Sequence, residues 1–217
     1  MSEARLSLET GRGATTGLPY RADAAHATLV LAHGAGAPQT HPWMVAMARA
    51  IAAAGVTVVT FNFLYADGKR GAPDRAEVLE TTWLGVLEDL RDKGFGPRLF
   101  IGGKSMGGRY ASMVAARPDV DVAGVVLLGY PLHPPGKPEQ LRVAHLPSVR
   151  APMLFVQGSR DTFGTEAEVR AALTDLPRAR LVVIEGGDHS LATPKKSGVT
   201  LPQTMARVAG EIAGFTA

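Results

Sequence analysis

Residues 99–108 read LFIGGKSMGG, a short apolar run that stops at a serine bracketed by glycines. Gly103, Ser105 and Gly107 form a G-x-S-x-G pentapeptide. A serine set on a sharp strand-to-helix turn takes strained backbone angles, and its neighbours two residues away must lack side chains to avoid collision. Such a turn lifts the hydroxyl above the sheet and sets it at a helix N-terminus, where N–H groups and the helix dipole favour negative charge. With eight serines and 25 glycines, chance alone would produce the pentapeptide in about one such chain in ten. An apolar strand before it and a helical stretch after it, Tyr110 to Arg117, make the accident much rarer. Gly103-Lys104-Ser105 could also end a phosphate-binding G-x-x-x-x-G-K-S loop, but the first glycine of that motif would fall at Arg98, inside a strand.

Outward from this turn, apolar runs alternate with amphipathic stretches. Strands are expected at Ala27–Ala32, Thr57–Phe63, Leu99–Gly102, Val122–Leu128, Met153–Gln157 and Leu181–Glu185, almost continuously apolar as in a sheet covered on both faces. Helices are expected near Pro42–Ala54, Pro73–Lys93, Met106–Arg117, Glu166–Asp175 and Leu201–Phe215, with Pro42, Pro73 and Pro202 near three of the starts and Gly55 and Gly94 just past the ends of the first two. The alternation predicts an α/β three-layer sandwich: a mostly parallel central sheet of about six to seven strands with helices on both faces. Glu3–Glu9 would add an antiparallel edge strand within an N-terminal edge segment, 1–26. Residues 130–152, with six prolines, are too short and broken for a large cap domain.

The composition suits one domain over 1–217: 46% hydrophobic, 20% charged, net charge +3, and no run of like charge that would suggest nucleic acid or an anionic membrane. The absence of cysteine removes disulfides, thiolate nucleophiles and cysteine-based metal sites. No signal peptide or membrane-length apolar run is seen, so a cytoplasmic location is the default. No H-E-x-x-H or acidic calcium loop calls for a metal, and no cofactor is implied.

In a parallel sheet the chemistry belongs at the carboxyl ends of the strands. His189, in GGDHS after the last strand, is the histidine placed to meet Ser105 from a late loop and act as its general base. Asp161, in QGSRDT after the preceding strand, is the preferred carboxylate to orient it; Asp188 is too close in sequence to turn back, and Asp175 lies late in a helix leading away. An oxyanion site would take one N–H from Met106 and a second from the loop His33-Gly34-Ala35-Gly36-Ala37, assigned to Ala35 with Gly36 as the alternative. His33 itself reads as a residue that staples the loop.

This order of serine, aspartate and histidine resembles the α/β-hydrolase superfamily from about Ala27 onward, and its compact plan resembles the small, lidless, dienelactone-hydrolase-like branch. The strings LAHGAGA, FNFLYADGKRGAPDR, GGKSMGGRYAS, QGSRDTFGT and GGDHSL look closer still to bacterial relatives of the testis-expressed and chromatin-complex hydrolase-like proteins. Dienelactone hydrolases proper use a cysteine nucleophile, so the resemblance implies fold and triad, not that substrate. The expectation is a serine hydrolase acting on an ester or related acyl bond of a small soluble substrate. Thioesterase and peptidase chemistry share the same machinery, and a catalytically silent interaction protein on this fold is the alternative from another class. Tyr65, Tyr130 and Leu132 follow strands and are expected to line the cleft, as is Lys104. Lys104, Arg109, Lys69, Arg70 and Arg75 would attract a carboxylate or phosphate on the substrate, or else are solvated surface charges. The oligomeric state is left open.

Overall fold

A computed structural model describes residues 4–96 and 98–217. The strands β1 (Leu6–Glu9), β2 (Ala14–Tyr20), β3 (Ala27–Ala32), β4 (Val56–Phe61), β5 (Leu99–Lys104), β6 (Gly124–Leu128), β7 (Met153–Gly158) and β8 (Ala179–Ile184) form one sheet in the order β1-β2-β4-β3-β5-β6-β7-β8. From β4 to β8 all neighbours are parallel, whereas β1 pairs antiparallel with β2, and β2 with β4. The helices are α1 (Pro42–Ala53), α2 (Leu64–Asp67), α3 (Ala76–Asp92), α4 (Met106–Ala115), α5 (Glu166–Ala172) and α6 (Leu201–Thr216).

Eight strands replace the expected six to seven. The difference lies mainly in the N-terminal segment, where a hairpin stands in place of a single edge strand; Glu3, the expected first residue of that strand, lies outside the described residues. The short helix α2 was not anticipated, α3 begins at Ala76 rather than Pro73, and α5 ends at Ala172 rather than Asp175. Residues 129–152 hold one 3-10 turn, Leu146–Ser148, and no cap domain.

Strands buried on both faces send alternate side chains into two cores. Leu29 and Leu31 of β3 pack under α1 and α6 with Met47, Ile51 and Val208, while Val30 and Ala32 face α3 and α4 with Trp83, Val86 and Ala111. Phe61 meets the Trp83 ring edge-on at 4.8 Å, a pair worth about 0.5–1.5 kcal/mol beyond the area it buries. The helix starts are made locally. Thr165 with Glu168, and Thr200 with Gln203, close capping boxes at α5 and α6. Among the described residues no helix is long and apolar enough to cross a membrane.

The strand order positions the site. The chain leaves β3 for β4 on one side and returns to β5 on the other, so β3 and β5 are hydrogen-bonded neighbours with Ala32 opposite Gly103. The loops that follow them therefore emerge side by side at the carboxyl edge, the crevice where open α/β sheets bind ligands. The loops after β7 and β8 reach the same edge.

Candidate active site

Between the end of β5 and the start of α4 stands Ser105, at φ 50° and ψ −116°. A positive φ is costly for a residue with a Cβ, by about 1–3 kcal/mol, and survives only where the surroundings over-determine it. Here its N–H donates to Leu128 O at the end of β6 (2.9 Å), and Ser105 O accepts from Arg109 N–H (3.0 Å). The two flanking glycines are demanded by close approach. A Cβ on Gly103 would lie 2.5 Å from Gly107 C and 2.7 Å from Ala32 O, and one on Gly107 would lie 2.5 Å from His33 O.

His189 lies in the loop after β8. Its Nε2 is 2.9 Å from Ser105 Oγ and its Nδ1 is 2.8 Å from Asp161 Oδ2. The fully buried Asp161 carboxylate accepts from Nδ1–H, which leaves Nε2 as the acceptor for the serine hydroxyl. Asp161 also accepts from Gln157 Nε2 (2.9 Å) and from Phe163 N–H (2.9 Å), so no donor-poor charge is left in the interior. Phe163 packs against the imidazole with ring centroids 4.3 Å apart and the planes tilted by 31°. Trp43 Nε1–H donates to Ser190 O (2.9 Å) and ties the histidine loop to α1. The rival carboxylate, Asp188, accepts from the N–H groups of Ser190 (2.7 Å) and Ala192 (3.0 Å) and so closes its own loop. Asp175 is exposed in the turn beyond α5.

The loop after β3 abuts the serine: a Cβ on Gly34 would be 3.6 Å from Ser105 Cβ. His33 beneath it is fully buried, accepts from Phe63 N–H at Nε2 (3.1 Å) and donates from Nδ1 to Gly34 O (2.8 Å). Burial lowers its pKa, so the ring stays neutral and fixes the loop to the end of β4. Ala35 and Met106 both line the cleft. Neither of their N–H groups donates to a protein acceptor among the described residues. A free N–H at the first residue of α4 and another in the loop after β3, both on the wall that holds Ser105, are of the kind a developing oxyanion requires.

The cleft has a volume of about 590 Å³, and Ser105, His189, Met106, Lys104, Arg109 and Arg142 are on its wall. A larger groove of about 860 Å³, between β2 and α1, is lined by residues such as Arg5, Tyr20 and Arg49 and lies away from Ser105. Of the expected lining residues, Lys104 is in place. Its side chain is largely buried, over the Trp43 ring at 5.8 Å, and burial pushes its pKa down to about 8 against the opposing pull of Asp161 and Asp188. Tyr65, Tyr130 and Leu132 correct the expectation: they are 2%, 1% and 2% exposed and lie outside the lining. Tyr65 stands edge-on to His33 at 5.7 Å beneath the loop. Tyr130 turns inward because its N–H donates to Gln157 Oε1 (2.8 Å) and its hydroxyl to Arg142 O (2.6 Å), and burial raises its pKa to about 12. Among the basic residues, Lys69, Arg70 and Arg75 are exposed outside the lining, and Arg70 is paired with Asp74.

Gln157, Phe163, Trp43 and Arg142 were not singled out from sequence. Gln157 had a signal, as the one polar residue in the apolar run MLFVQ. The others become visible only through tertiary contacts.

A glycine-framed serine, an imidazole and a buried carboxylate in hydrogen-bonding succession, on a mostly parallel sheet without a cap, define the class as α/β hydrolase. Residues 25–217 match the family described as "Alpha/beta hydrolase domain", and the chain belongs to that family. Two Mycobacterium tuberculosis proteins, each with a provisional phosphoribosyl transferase name, are 29% identical over 177 residues; the match takes in 76% of this chain but only 37% of theirs. An alpha-beta serine hydrolase homologue from Coxiella burnetii superposes with a TM-score of 0.77 at 18% identity, over 100% of this chain and 99% of that one. A dienelactone hydrolase from Anabaena variabilis gives 0.74 at 23% identity, over 98% and 95%. At these identities the likeness is one of fold.

Proposed function

We propose that the protein is a serine-dependent hydrolase of an ester or related acyl bond in a small substrate, with Ser105 as nucleophile, His189 as general base and Asp161 as the group that orients it. The observation that carries this reading is the row from Asp161 Oδ2 through the imidazole to Ser105 Oγ, at 2.8 and 2.9 Å. His189 Nε2 takes the hydroxyl proton as Ser105 Oγ bonds to the acyl carbon, and Asp161 stabilises the resulting imidazolium. The carbonyl oxygen becomes an oxyanion between the N–H groups of Met106 and Ala35, where each donor is worth about 3 kcal/mol. Collapse expels the alcohol, which takes the proton from His189, and leaves an acyl-serine. Water then gives a proton to His189 and attacks the same carbon, and Ser105 is released with its proton restored. The open cleft, with no cap over it, favours small soluble acyl groups over substrates that need a lid.

A fluorophosphonate probe tests the reading. Ser105 is expected to be labelled in the native protein and not in a folded Ser105→Ala variant. A native, folded chain that never reacts, and that turns over no activated ester or thioester, refutes it.

A further inference from the structure

Two guanidinium groups on the cleft wall have no counter-charge. Arg109 lies one helical turn beyond Ser105 on α4, and its Nε is buried with no hydrogen-bond partner among the described residues. Arg142 reaches the same cleft from the connection after β6. Its backbone is pinned there, its N–H donating to Leu132 O (2.8 Å) and its carbonyl accepting from the Tyr130 hydroxyl, while its Nη1 reaches only Pro131 O at 3.5 Å. Neither arginine pairs with a carboxylate among the described residues.

Two ionisable groups beside the pair are neutral, and Lys104 adds a further cation to the same wall. His145, 2.8 Å from Ser112 Oγ, is held down to about 4 by burial and by Arg109, and the Tyr130 phenol is raised to about 12. Asp74, the carboxylate on the cleft wall, is occupied by Arg70 and by Tyr65 N–H (3.0 Å). Arg142 itself is lowered by burial and then by Arg109, as two cations sharing a partly desolvated wall should be. The two cations repel one another across the wall, and an anion between them relieves that repulsion. Guanidinium forks match the paired oxygens of carboxylate or phosphate.

We infer that Arg109 and Arg142 form an anion-binding subsite, so that the substrate carries a carboxylate or phosphate in addition to its scissile acyl bond. The inference rests on the serine-hydrolase reading and narrows its substrate class. Of the cations foreseen in the sequence it keeps Arg109, adds Arg142 and leaves Lys69, Arg70 and Arg75 outside, while Lys104, also on the cleft wall, is largely buried over Trp43 and is not part of the pair.

Matched 4-nitrophenyl esters of valeric acid and of glutaric acid (the half-ester) differ by one terminal carboxylate. The ratio of kcat/KM, anionic over neutral, is expected to exceed one at low ionic strength and to fall as salt is added. In Arg109→Gln and Arg142→Gln the ratio should fall about tenfold, the scale of a lost charge-assisted hydrogen bond. Inhibition of the neutral ester by glutarate or by phenyl phosphate tells the two anion sources apart. Calorimetric binding of the same two anions to Ser105→Ala needs no turnover, and so separates failure of the subsite from failure of the nucleophile. A salt-independent ratio near one, a ratio unmoved by both arginine substitutions, or no anion binding by folded Ser105→Ala overturns the inference.

Discussion

Gln157 Nε2 donates at 2.9 Å to Asp161 Oδ2, the same oxygen that accepts from His189 Nδ1. The amide also donates to Gly164 O (2.9 Å), while its Oε1 accepts from Tyr130 N–H (2.8 Å). One buried side chain at the end of β7 thus fixes the carboxylate, the loop that carries it and the start of the connection after β6. Gln157→Leu takes the partner from Tyr130 N–H and Gly164 O and removes one of the donors to Asp161. It is expected to lower kcat by about 10–100-fold, the scale of a small misplacement of reacting groups, with less effect on KM. Because Gln157 acts through Asp161, the acid limb of the pH–kcat profile should move as well. A fall in thermal stability with an unmoved profile would reduce Gln157 to a packing role.

Asp161 and Asp188 are distinguished by what they bond. Asp161→Asn removes the charge that holds the Nδ1–H tautomer and is expected to lower kcat by about 10⁴-fold in a folded protein. Asp188→Asn weakens a loop closure made to two backbone N–H groups, and should act mainly on stability, at a cost of about 1–2 kcal/mol. Steady-state kinetics and denaturant melts on the two variants decide the assignment. Equal kinetic losses would contradict it.

Gly107→Ala adds a methyl 2.5 Å from His33 O and 2.6 Å from Ala32 O, both backbone atoms that cannot swing aside. Either β3 shifts or α4 lifts. The expected cost is about 1–3 kcal/mol, a fall of about 2–4 °C in Tm for each kcal/mol, with activity lost beyond what stability explains because the Ser105 turn and the Ala35 loop move apart. An unchanged Tm and full labelling of Ser105 would show the turn to be looser than its geometry.

The central strands and the three polar residues of the site were legible because each has a local signal: a continuous apolar run, a glycine-framed serine, a histidine and an aspartate just past strand ends. The hairpin strand β2 had none. ATTGLPY has no apolar run and contains both glycine and proline, and it becomes a strand because β1 and β4 pair with it on either side. Pro19 is tolerated beyond the last residue that β1 pairs, at Gly17. The misassigned tyrosines teach a related point. Position after a strand places the backbone of residues 65 and 130 near the active edge. Which way the ring points is decided by distant partners such as His33, Gln157 and Arg142. Arg142 itself lies in a segment whose prolines revealed the missing cap but not which side chain would turn into the cleft.

Lys104 makes the site costly at neutral pH. Its pKa of about 8 in the folded chain lies below the ordinary 10.5, because burial penalises the ammonium more than Asp161 and Asp188 favour it. Below pH 8 both folded and unfolded chains hold the proton, and the full penalty, about 3 kcal/mol for such a shift, falls on the native state. Between pH 8 and 10.5 the unfolded chain still binds a proton that the native chain has released, so stability from this group rises with pH across that window. Lys104→Met keeps the unbranched stem and removes the charge. It should raise stability at pH 7 by about 1–3 kcal/mol and flatten the rise between pH 8 and 10.5, as read from urea melts at several pH values. If the variant's stability curve runs parallel to that of the parent through the window, the ammonium is solvated in the native protein and the penalty does not exist.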